Sequence, residues 1–159
     1  MDLLPLFQTF EDSGLGRAVR ESVWAFAVIE SVHLLALATM GGAALLVDMR
    51  MLNLGLKDRP TAELAADASR FFNLGLIVLI LSGIGLFASE AVKCYYSTPF
   101  WVKMITLAVA IVFAYAVRNP VARSAEGRVG TGTRAMVAVS SIALWFVVAA
   151  AGRWIGFSG

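Results

Sequence analysis

The sequence predicts an all-α fold: an integral membrane four-helix bundle running up-down-up-down, with a short interfacial helix ahead of it. Three observations lead there. Hydrophobic residues fill 59% of the 159 positions, charged residues only 15%, and the mean hydropathy is +0.78, a composition typical of integral membrane proteins. The apolar residues gather in four runs close to the roughly 20 residues that a helix needs to cross a hydrocarbon core about 30 Å thick. The charged residues collect between those runs.

At the N-terminal side, Leu3, Leu4, Leu6, Phe7 and Phe10 alternate with Asp2, Gln8, Glu11 and Asp12. That pattern suits a short helix lying in the interface plane, ended by Ser13-Gly14. The first span covers 23–47. It starts too late, and lacks the short apolar core and small-residue cleavage site of a signal peptide, so it is expected to be retained. The connector Leu54–Ser69 contains Pro60-Thr61-Ala62-Glu63, which predicts a short capped helix on the cytoplasmic side.

The second span covers 71–88. Lipid supplies no hydrophobic drive between helices, so contact depends on small residues that let backbones approach. Gly75, Ser82 and Ser89 recur every seven positions, with Gly83 and Gly85 beside them, and mark a packing seam. Gly41-Gly42-Ala43-Ala44 is expected to do the same in the first span, and Ser140-Ser141 in the fourth. The third span, 101–117, is short, and Trp101 and Tyr115 suit its interfacial ends. Asn119-Pro120 is expected to stop it, Gly127–Thr133 links onward, and the fourth span covers 135–155. No repeat or composition shift divides the chain, so residues 1–159 read as a single transmembrane domain.

Short cytoplasmic loops carry the excess of Lys and Arg. Eight of the 13 basic residues flank one side: Arg50, Lys57, Arg59, Arg70, Arg118, Arg123, Arg128 and Arg134. The other five are Arg17, Arg20, Lys93, Lys103 and Arg153. The expected location is therefore a bacterial inner membrane, crossed several times, with both termini periplasmic. The pI near 9.0 reflects loop charges beside anionic lipid and gives no support to nucleic-acid binding. One cysteine, Cys94, excludes an intramolecular disulfide.

Polar residues within apolar spans are costly and so point to function. His33 is the sole histidine, and at about 1.5 Å of rise per residue it sits roughly 15 Å below the start of the first span. Phe26, Glu30, His33, Leu37, Met40 and Ala44 share one helix face. Glu90, Lys103 and Arg153 belong to the same outer half of the bundle.

Three readings stay open. The first is a haem b pocket in a redox or electron-transfer role, with His33 as the axial ligand to the metal and Lys103 and Arg153 on the propionates. One histidine per chain leaves the second axial position to Met104, a symmetry mate, a small molecule or nothing, and Glu30 lies nearby. Met40, on His33's own helix, cannot oppose it. The second is a structural or accessory membrane subunit in which these charges form an ion-pair network. The third is a copper site, from His33, Met40, Met104 and perhaps Cys94, or a proton or quinone site at Glu30 and His33. The expected partners are the lipid bilayer and other copies of the chain or a larger membrane complex. Asp48, at the opposite end, is close enough to the core to pair with Arg118 or Arg70, and Trp145 reads as a packing residue. No P-loop, Gly-x-Ser-x-Gly or His-Glu-x-x-His motif is present.

Glu30-Ser31-Val32-His33-Leu34-Leu35, then Gly41-Gly42, Val47-Asp48-Met49-Arg50-Met51-Leu52, Phe100-Trp101-Val102-Lys103 and Ala151-Gly152-Arg153-Trp154-Ile155 carry a resemblance. Over roughly residues 22–157 the chain resembles an uncharacterised family of small bacterial four-helix membrane proteins, a domain of unknown function. The resemblance implies the four-span fold and no particular activity. The layout is also similar to copper-resistance-type and b-type cytochrome membrane proteins, although the paired histidines of diheme cytochromes are missing.

Overall fold

The computed structural model describes residues 3–56, 58–125 and 127–157. Asp2 and Lys57, used above as flanking charges, lie outside the described residues. All regular structure among the described residues is helical. In chain order the helices are α1 (Leu4–Glu11), α2 (Gly14–Glu21), α3 (Ala25–Met51), α4 (Thr61–Ser89), α5 (Ala91–Tyr96), α6 (Thr98–Phe113), α7 (Asn119–Arg123) and α8 (Thr131–Ile155), with a π-helical turn at Ala114–Arg118 joining α6 to α7.

Four helices are long and apolar enough to cross a membrane: α3, α4, the continuous stretch Thr98–Arg123, and α8. Their outward faces carry Leu35, Leu46, Leu81, Ile105, Val112 and Phe146, all exposed, which is how a lipid-facing surface differs from a soluble one. The interior holds Met40, Ala44 and Val47 of α3, Phe72, Leu76 and Leu79 of α4, Ala110 of α6, and Ala138, Trp145 and Val148 of α8. Trp145 packs edge-on against Phe72, with ring centroids 5.7 Å apart.

The seam on α4 packs within the chain. Gly75 lies so close to α3 that a Cβ there would meet the Met40 Cβ and backbone nitrogen at 2.9 Å. Gly83 abuts the His33 ring, Gly85 faces Ile29, and Ser89 is buried. These pairs run in opposite order along the two helices. On α3 itself only half of the expected seam is used: Ala43 and Ala44 are buried, while nothing lies within 4 Å of a Cβ placed on Gly41 or Gly42.

Three boundaries depart from the sequence reading. The helix expected near Thr61 is the first part of α4, because Thr61, Ala65 and Ala68 sit on the face that continues into Phe72 and are buried with it. Asn119-Pro120 does not stop the third span. The backbone N–H of Asn119 bonds five residues back to the Ala114 carbonyl, and this wider turn makes room for a proline ring that would clash in an unbroken α-helix.

The N-terminal segment forms two helices. Ser13 ends α1 and caps α2, its hydroxyl accepting from the Gly16 N–H at 3.1 Å. Phe7 of α1 packs among Phe87, Tyr95, Phe100 and Trp101, with centroids 5.3–6.3 Å away. Glu11 Oε2 accepts from the Val92 N–H at 2.6 Å, tying α1 to the start of α5. Gly16 is where α2 touches the end of α4, since a Cβ there would meet the Ala88 carbonyl oxygen at 2.5 Å.

Candidate functional site

His33 is half-buried between α3 and α4, and its Nδ1 lies 2.9 Å from Ser82 Oγ. Ser82 has one hydroxyl proton, directed to the Val78 carbonyl at 2.6 Å, so its oxygen accepts and Nδ1 donates. That hydrogen bond places a proton on Nδ1, and in the neutral ring it leaves the Nε2 lone pair for a partner. The Leu79 backbone also hydrogen-bonds the ring, and no buried polar side-chain atom among the described residues is left unsatisfied. Gly83 lets the ring lie flat: a Cβ there would be 3.4 Å from Cε1.

Lys103 of α6 is half-buried, packed along Gly152 of α8 with its ammonium 3.5 Å from where a Cβ would be, and is within electrostatic reach of His33 and Cys94. Arg153 is exposed, its guanidinium 4.6 Å from the centre of the Phe157 ring. Glu30 is exposed at the edge of the His33 face, and Met104 is 43% exposed on the outside of α6. His33 and Lys103 thus lie within electrostatic reach of one another, whereas Met104 lies on the exposed side of α6. Among the described residues Glu30, Lys103 and Arg153 form no ion pair, and Glu90 pairs only with Lys93, at 3.8 Å. Cys94 is buried in the aromatic cluster beside this end. Burial, and secondarily the Glu90 carboxylate, push its thiol up to about 11, so at neutral pH it is protonated.

The most enclosed polar group lies at the other end. Asp48 and Arg118 are 1% and 4% exposed and meet at 2.6 Å. Every side-chain nitrogen and oxygen of the pair has a partner: Asp48 Oδ1 accepts from Arg118 Nε and Oδ2 from Ser141 Oγ at 2.7 Å, while Arg118 donates to the Ala44 carbonyl at 2.6 Å and to Asn119 Oδ1 at 3.1 Å. Its guanidinium also lies 5.9 Å from the Phe72 ring centre. This pair joins α3, α8 and the π turn, and Arg118 is the one of the two partners expected for Asp48 that the fold selects. Arg134, also buried, holds the following loop by donating to the carbonyls of Ser124 and Ala125 at 3.0 and 3.2 Å.

Two features went unread in the sequence. Ser82 stood out only as a small seam residue, and its role as the acceptor for His33 depends on the α3–α4 register. Asn73, an amide inside an apolar run, and Tyr115 and Asn119, one turn apart, were visible as signals; the structure brings all three to one cleft. No three His, Cys, Asp or Glu side chains gather as a metal cluster among the described residues.

Taken together, the geometry of the described residues defines a class: a helical protein with four helices long and apolar enough to cross a membrane, an oriented imidazole within electrostatic reach of a lysine that forms no ion pair among them, and a sealed Asp–Arg pair. The chain belongs to a family of unknown function, DUF6644, whose model matches residues 6–158. Neither a curated protein nor a solved structure matches it.

Proposed function

We propose that the protein is an up-down-up-down four-span bundle of the bacterial inner membrane, with both termini periplasmic, and that its outer half binds a redox cofactor, haem b, with His33 Nε2 as the axial ligand. The observation that carries this reading is the oriented imidazole. A ligating histidine commonly donates its other ring N–H to a fixed acceptor, which sets tautomer and orientation, and Ser82 does this for His33. Lys103 and Arg153, cations with no carboxylate partner among the described residues, suit the two propionates of such a group. Haem supplies one-electron redox chemistry when bound; His33 donates the lone pair, Gly83 gives the ring clearance, and Lys103 and Arg153 balance anionic charge. Met104 faces outward, so any further protein ligand would come from a second copy in a homo-oligomer. Copper and a proton or quinone site at Glu30 and His33 rank lower, because Cys94 offers a protonated thiol and Glu30 lies exposed.

The test is the visible spectrum of protein expressed with ample haem supply. A Soret band is expected, lost in His33→Ala with the helices still formed, and weakened in Ser82→Ala and Lys103→Ala. Wild-type protein without colour or iron rejects it.

A second reading has its own observation. The Asp48–Arg118–Ser141 network suits a structural or accessory membrane subunit, in which buried polar groups set the register of helices. That role predicts full assembly with no cofactor at all.

A further inference from the structure

We propose that the cleft at the Arg123 end of the bundle binds the phosphate of an anionic phospholipid headgroup. The cleft has a volume of about 350 Å³ and is lined by Ser69, Asn73, Tyr115, Asn119, Pro120 and Arg123. Its hydrogen bonds leave an unequal remainder. Tyr115 O–H donates to Asn73 Oδ1 at 2.7 Å, and Arg118 donates to Asn119 Oδ1 at 3.1 Å, so both amide oxygens are taken. The Ser69 hydroxyl proton goes to the Ala66 carbonyl at 2.6 Å. The donors that remain are the two –NH₂ groups of Asn73 and Asn119 and the whole guanidinium of Arg123, none with an acceptor among the described residues, beside the hydroxyl oxygens of Ser69 and Tyr115. Among the described residues no carboxylate lines the cleft. A set of amide and guanidinium donors around one concavity, with no anionic acceptor among the described residues to meet them, calls for a ligand rich in anionic oxygens.

Position selects the source. Asn73 lies three residues past Arg70, the last charge before the apolar run of α4, and Tyr115 lies three before Arg118. The cleft therefore straddles the edge of the apolar band, where headgroup phosphates lie and where unmet donors would otherwise face hydrocarbon. One turn further into the band from Asn73 and Tyr115 are Ile77 and Val112, 56% and 66% exposed, against which an acyl chain runs. A soluble phosphate compound has no use for that surface.

The experiment uses the full chain in detergent and native mass spectrometry with phosphatidylglycerol, phosphatidylcholine or inorganic phosphate. Wild type should retain one phosphatidylglycerol in preference to phosphatidylcholine. Arg123→Gln should lower that retention about tenfold, the scale of one lost charge-assisted contact, and Asn73→Asp, isosteric but anionic, should lower it further. Arg128→Gln, at an exposed arginine of the connector that follows α7 and outside the cleft, should leave it unchanged. Equal losses in the Arg123 and Arg128 variants, or equal retention of both lipids, would overturn the site. Displacement of bound lipid by millimolar phosphate would overturn the lipid as its ligand.

Discussion

Removing either partner of the Asp48–Arg118 pair should cost far more than removing both. The two groups are 1% and 4% exposed and 2.6 Å apart, so each substitution strands a charge in a medium that solvates it poorly. A buried pair broken on one side typically loses about 3–5 kcal/mol. Asp48→Ala leaves the Arg118 cation with only the Ala44 carbonyl, the Asn119 amide and the Phe72 ring. Arg118→Met leaves the Asp48 carboxyl with only Ser141. A carboxylic acid has a neutral form available and a guanidinium has none, so Asp48→Ala should be the worse of the two. At roughly 2–4 °C per kcal/mol for a chain of this size, its midpoint should fall by roughly 10 °C. The double variant Asp48→Ala/Arg118→Met should recover most of the loss. The assay is a double-mutant cycle read by thermal unfolding in detergent, and the coupling should exceed about 1 kcal/mol. Single losses below that figure, or losses that simply add, would refute the claim that this pair holds α3, α8 and the π turn in register.

Further predictions follow from particular contacts. Gly75→Ala should destabilise by about 1–3 kcal/mol through overpacking, since its Cβ meets Met40 backbone at 2.9 Å, whereas Gly42→Ala, with nothing within 4 Å, should be neutral; unfolding midpoints compare the two. The Cys94 thiol, pushed up to about 11 from an ordinary value of 9.0, stays protonated in the fold. Its stabilising contribution is present below pH 9.0 and lost as pH rises toward 11, so folded protein should react slowly with iodoacetamide at pH 8 and denatured protein quickly. In a Cys94→Ala background, a cysteine introduced beside Arg123 should resist an impermeant maleimide in intact cells; ready labelling would reverse the proposed orientation.

The helical class, the four apolar helices and the uniqueness of His33 were legible in the sequence, because hydropathy and residue count depend only on what lies along the chain. The heptad of Gly75, Ser82 and Ser89 likewise announced a contact surface, since only small side chains allow close approach. Local pattern alone misjudged Pro120 and Thr61. Pro120 persists in a helix through a π turn that turns Arg118 inward, and Thr61 begins a long helix because its face stays buried far below the apolar run. Partners were beyond reach of the sequence. That His33 donates to Ser82, that Asp48 meets Arg118 rather than Arg70, and that Asn73, Tyr115, Asn119 and Arg123 share one cleft all depend on the register and rotation of helices distant in sequence. Tertiary packing decides those, since a one-residue slip turns a side chain by about 100° and points it at a different neighbour.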